Sequence, residues 1–124
     1  MTIEEDINPV EHEAVSLKIV YVNDLKDGHL LLCHSDSSTY VFSDFTSDGF
    51  CYVSSHDALN SSGKKRFSKK VRANILGSNV GSSILIANQI IRNTSLEIKY
   101  FNKKKNKFSS LITSPIKELI LDIE

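Results

Sequence analysis

Apolar residues recur along this chain in two rhythms: short strand-like runs up to Tyr100, then a helical spacing beyond it. Leu17-Lys18-Ile19-Val20-Tyr21-Val22, His29-Leu30-Leu31-Leu32-Cys33-His34 and the run from Thr39 to Thr46 are rich in β-branched and aromatic residues. Asn23 to Gly28 and Ser35 to Ser38 have turn composition, so the three runs predict an antiparallel meander. Asp48-Gly49 is a hairpin-type turn that leads into a short run, Phe50-Cys51-Tyr52-Val53. Residues 54–68 are mostly Ser, Asn, Gly and Lys and read as a long connection. Lys70 to Leu76 alternates with period two and stops at Gly77, and Ser83 to Arg92 is the strongest strand signal in the chain. Leu96 to Tyr100 reads either as a further strand or as a lead-in to the terminal segment.

From Phe101 the gaps between apolar residues become three, four and seven. Phe101, Phe108, Leu111, Ile112, Ile116, Leu119, Ile120 and Ile123 then share one stripe, with Lys103, Lys104, Lys105 and Lys107 opposite. Ser114-Pro115 is an N-cap and N1 pair, which predicts one helix ending near Thr113 and a second from Pro115. The expected organisation is a flexible acidic arm (1–15), a barrel (16–100) and a C-terminal helical segment (101–124). Three meander strands, a long connection and two more strands fit an all-β, five-stranded Greek-key barrel of the OB type with a terminal α-helix. Such a barrel closes on its own strands and leaves the helix free for a partner.

Composition adds a charge split to this picture. The 124 residues suffice for one domain, 40% apolar and 24% charged, as in an ordinary globular chain. Net charge is zero, yet residues 1–57 hold eleven acids against two bases, −9. Residues 58–107 hold twelve bases against one acid, +11, and the remainder is −2. That polarity points to a surface for a polyanion or an acidic partner, without the bulk charge of a protein that grips nucleic acid by itself. No apolar run approaches the ~20 residues of a membrane span, and the acidic N-terminus is unlike a secretory signal, so the expected compartment is intracellular. Cys33 and Cys51 are read as buried thiols.

Val71-Arg72-Ala73-Asn74-Ile75-Leu76-Gly77, the run from Ser83 to Ile91 and the terminal segment together look like the second half of the small subunit of RPA-type complexes. With Leu17–Val22, Leu30–Asp36 and Tyr40–Thr46 before them, and Thr113-Ser114-Pro115-Ile116-Lys117-Glu118-Leu119 at the end, they resemble still more the Ten family of the telomere-capping CST complex. The resemblance spans roughly residues 16–120 and rests on strand order and short matches. It implies a nuclear protein at chromosome telomeres, paired with an Stn-type OB-fold subunit in a larger capping complex, and binding single-stranded telomeric DNA weakly alone. On that reading Phe101, Phe108, Leu111, Ile112, Ile116 and Leu119 form the helix–helix contact. An alternative of another class is a β-sandwich or adaptor domain that dimerises through the helix and touches no nucleic acid. Its mark would be Leu96–Tyr100 pairing as a strand.

The candidate phosphate contacts are Lys64, Lys65, Arg66, Lys69, Lys70 and Arg72, since flexible cations beside strands can track a backbone. Tyr40, Phe42 or Tyr52 could stack bases. Tyr40 and Phe42 share one strand face, which is either the core or the stacking face. Lys103, Lys104, Lys105 and Lys107 read as the wet side of the helix. His29, Cys33, His34, Cys51 and His56 match no metal-ligand spacing, and no catalytic motif occurs, so neither metal, cofactor nor enzymatic activity is expected.

Overall fold

The structure is a computed structural model that describes residues 13–56, 69–81 and 84–123. Eleven strands make up these residues, with one 3-10 turn at Val22–Asp24 and no α-helix among them. In chain order they are β1 (Glu13–Leu17), β2 (Ile19–Tyr21), β3 (His29–His34), β4 (Thr39–Ser43), β5 (Cys51–His56) and β6 (Val71–Val80). The remaining five are β7 (Ile84–Ala87), β8 (Gln89–Ile91), β9 (Ser95–Asn102), β10 (Lys107–Ile112) and β11 (Glu118–Ile123).

Nine of them form one antiparallel sheet, ordered β10-β9-β6-β5-β4-β3-β11-β1, with β7 beside β6. Ala73 pairs with Cys51 on one side and Tyr100 on the other, and Ser78 pairs with Ile86 and Leu96. One edge of β6 therefore carries β9 throughout, while the other is shared by β5 at its start and β7 at its end. Asn88, at φ 62, bends the run that continues as β8, which pairs with β2 in a separate two-stranded sheet. Gly77 sits where β6 changes neighbour: at φ 146, a Cβ there would lie 2.1 Å from the Ile86 carbonyl oxygen, so only glycine fits.

The OB barrel is not what forms. The path ends at two edges, β10 and β1, that do not pair with each other, and β5 and β6 are direct neighbours rather than joined by a Greek-key return. Leu96–Tyr100 lies within β9, as the alternative reading required, but the terminal helix through which that reading dimerises is absent among the described residues. The strand expected from Ser83 to Arg92 is likewise two, Ile84–Ala87 and Gln89–Ile91, bent at Asn88.

The predicted C-terminal helical segment is the end of β9 followed by β10 and β11. The gap of seven between Phe101 and Phe108 is a hairpin: the two residues face each other across β9 and β10, and Asn102 faces Lys107. Asn102 Oδ1 accepts hydrogen bonds from the Lys104 and Lys105 amides, and Asn106 takes φ 52, so the two Asn residues turn the chain. Helix-forming lysines between them disguise that turn. β11 then enters the sheet between β3 and β1, with Leu119 opposite both Cys33 and Leu17. Ile120 and Ile123 suit that strand by β-propensity.

Inward residues of β3 to β6, β9 and β11 share one core with Val20, Leu25, Phe45, Ile90 and Ile116. Strands near both ends of the path meet there, so the sheet is coiled around it. Tyr40, Phe42, Ile116 and Leu119 are all buried in this core, and Leu111 packs half-buried against it. Tyr40 and Phe42 are therefore on the core face of β4 and cannot stack bases. Ile116 and Leu119 cannot serve a partner helix. Buried Thr113 secures the crossing into β11, its hydroxyl accepting from the Leu96 amide and donating to the Ser114 carbonyl.

Cys33 and Cys51 are free thiols in the same core. Burial, and secondarily Cys51, pushes the Cys33 thiol far up; burial, then Asp44, pushes Cys51 up to about 12 from 9.0. Unfolded thiols ionise near 9.0 while the folded ones stay protonated. Stability is accordingly intact below that pH and falls as pH rises through it toward the folded values. Urea unfolding at pH ~8 and ~10 should differ by about 1.4 kcal/mol for each thiol. Cys51→Ala should remove its share of that difference.

Candidate nucleic-acid interface

The outer face of β5, β6, β9 and β10 gathers aromatic and cationic side chains. Tyr52 pairs with Arg72, and Phe101 with Phe108. Because Ala73 pairs with Tyr100 on the inner side, Arg72 and Phe101 stand next to each other on the outer side. One row thus runs Tyr52, Arg72, Phe101, Phe108 across four strands. Beside it Lys99 is opposite Ser110, and Glu97 is opposite Ile112.

Phe50, just before β5, joins the row from the side. Its ring lies 6.0 Å from that of Phe108, and Phe101 meets Phe108 edge-on at 5.6 Å. The Arg72 guanidinium sits over Phe50 at 4.4 Å, a cation–π contact. Phe108 is 41% exposed, Tyr52 38% and Ile112 52%. These are flat apolar surfaces on a wet face, with a guanidinium among them.

Further cations stand at one end of the face. β6 begins where β9 ends and β10 begins, so Lys69 and Lys70 lie at the same end as the hairpin carrying Lys103, Lys104, Lys105 and Lys107. All six are exposed. Carboxylates are few and engaged. Lys70 Nζ donates to Asp44 Oδ2 at 3.1 Å, Arg72 Nη2 is 3.7 Å from Asp48 Oδ2, and Asn79 Nδ2 donates to Glu97 Oε1 at 3.0 Å. The Thr46 hydroxyl first, then the Phe50 amide and Arg72, hold the Asp48 carboxyl below its usual range.

Of the residues expected from sequence, Lys69, Lys70 and Arg72 come together here with Tyr52. Phe101, Phe108 and Ile112, expected on a partner helix, lie on the same sheet face instead. Lys64, Lys65 and Arg66 lie outside the described residues. Phe50, Lys99 and the hairpin lysines were not legible as parts of one site. Recognition of the Asn102–Asn106 turn would have paired Phe101 with Phe108 and revealed it.

Comparison with protein-family models, curated proteins and solved structures finds no significant match to this chain. The face therefore stands on its own chemistry. Elsewhere, a cleft of about 450 Å³ between the 3-10 turn and the Phe45–Gly49 loop is lined by residues including Leu25, Lys26, Asp27, Phe45 and Thr46. Among the described residues, no three His, Cys, Asp or Glu side chains converge as metal ligands, and no helix is long and apolar enough to cross a membrane.

Proposed function

We propose that this chain binds single-stranded nucleic acid across the outer face of β5, β6, β9 and β10. The observation that carries the reading is the row Tyr52, Arg72, Phe101, Phe108, flanked by lysines at one end of the sheet. Aromatic rings offer stacking surfaces to unpaired bases, and the cations follow the phosphates beside them. A duplex, whose bases already stack on each other, gains only the charge contacts. In the setting implied by the resemblance, a nuclear telomere-capping complex, the ligand is the single-stranded overhang. An Stn-type subunit would then meet a sheet edge, because the C-terminal segment is built into the sheet as strands.

Fluorescence anisotropy with a labelled oligothymidylate about twenty nucleotides long tests the proposal, with an expected dissociation constant on the order of micromolar at moderate salt. A duplex of equal length should bind more weakly. Equal affinity for the two, or no binding at low salt, overturns it.

A second reading, an adaptor that meets a protein and no nucleic acid, is favoured by the strand character of Leu96–Tyr100 and by the edge strand β10. Light scattering would register it as a dimer or hetero-complex with no affinity for the oligonucleotide.

A further inference from the structure

Lys70 and Arg72, two cations of the proposed face, are already held by carboxylates of the loop joining β4 to β5. Asp44 Oδ2 accepts from Lys70 Nζ and, at 3.2 Å, from the Ser43 hydroxyl. Asp48 is held more firmly. Its Oδ1 accepts from the Thr46 hydroxyl and from the Phe50 amide, which leaves Oδ2 facing Arg72. The loop is itself braced by two backbone bonds, Thr46 N–H to the Phe50 carbonyl and Gly49 N–H to the Thr46 carbonyl.

Resting on the nucleic-acid reading, we propose that Asp44 and Asp48 are built-in competitors: they occupy the phosphate-contact positions of Lys70 and Arg72, and a bound strand must displace them. Both pairs are about half exposed, with side-chain accessibilities of 59% and 54% for one and 49% and 60% for the other. Exposed pairs contribute little to stability, so exchanging carboxylate for phosphate costs the fold almost nothing. Nor does Arg72 need Asp48 to stay in place, since its guanidinium also rests over the Phe50 ring. Phe50 positions the cation and Asp48 blocks it. The loop thereby keeps the face weak for isolated phosphates, while a strand that also stacks on Phe108 and Tyr52 can compete.

The test is the double substitution Asp44→Asn and Asp48→Asn in the full chain. It keeps side-chain shape and the bonds from Thr46 and Phe50. Affinity for the labelled oligothymidylate should rise about tenfold at moderate salt, as two cations are released from exposed pairs. The slope of log affinity against log salt should stay near that of wild type, because Lys70 and Arg72 meet phosphates in both complexes. A charge-matched control, Asp36→Asn with Glu118→Gln, alters exposed acids on the far side of the sheet and should leave both quantities near wild type.

Wild-type binding with the double variant unchanged, or changed no more than the control, overturns the competitor role alone. Weaker binding by the variant also overturns it and makes the carboxylates positioning groups. Absence of binding by wild type and variant alike overturns the nucleic-acid reading itself. Binding by the variant alone supports both.

Discussion

Leu119→Asp leaves the chain without a folded state. Leu119 is fully buried, in a strand that lies between β3 and β1 and faces Cys33 on one side and Leu17 on the other. Removing a buried leucine side chain to alanine alone costs about 2–5 kcal/mol. An aspartate adds an unpaired charge in an apolar core, which has no partner to offset it. Against a total stability of about 5–15 kcal/mol for a domain, the sum is enough to unfold it. Far-UV circular dichroism and size exclusion should show loss of strand signal and an expanded chain. Ile112→Asp, on the exposed outer face, should leave the fold intact and shift the melting temperature little. A folded Leu119→Asp protein with an unchanged melting temperature would mean that the C-terminal segment is not core.

The second large effect is on binding. Phe108→Ala should weaken affinity for the oligothymidylate roughly 5- to 150-fold, the range expected for loss of stacking worth ~1–3 kcal/mol per base. Its ring is the most exposed of the three that touch one another, and it bridges Phe50 and Phe101. Because it lies outside the core, its loss should lower stability by only about 1 kcal/mol. Arg72→Gln should act differently, through the phosphates, and flatten the salt slope by about 0.7. Wild-type affinity in Phe108→Ala would remove stacking from the account, whatever Arg72 does.

Strand character before Tyr100 was legible because its signals are local, although Leu17–Val22 and the run from Ser83 to Arg92 each hold a break and β6 runs on through Gly77. β3 is bounded as its composition suggests, from His29 to His34, and turn chemistry marks both its ends. Of the expected meander, β3 and β4 pair across a short turn and β5 follows as the fourth strand, whereas Leu17–Val22 is divided between β1 and β2, which pair with β11 and β8 instead. Closure was not legible, because which edges pair depends on the path of the whole sheet. The terminal segment misled for a sharper reason. Spacings of three, four and seven arise equally from a helix face and from a hairpin that sets Phe101 opposite Phe108. Lysine-rich turn residues tipped the reading toward helix. The site suffered with it: alternation shows that Tyr40 and Phe42 share a face but not its direction, and that face is the core. Lys69, Lys70, Arg72 and Tyr52 could be placed because they adjoin strands whose register the alternation shows. Phe50 could not, since it lies in the turn before the strand that pairs with Arg72, and the hairpin lysines reach this end of the sheet only through the β9–β10 pairing.

The most direct measurement is a heteronuclear NMR titration of the full chain with the oligothymidylate, reading which amides move. The account predicts shifts at Tyr52, Arg72, Lys99, Phe101 and Phe108, on the outer face of β5, β6, β9 and β10. Leu30, Leu32 and Ile120, on the outer side of β3 and β11, should stay where they are. Shifts confined to β3 and β11, or no shifts at concentrations well above the anisotropy midpoint, would contradict it.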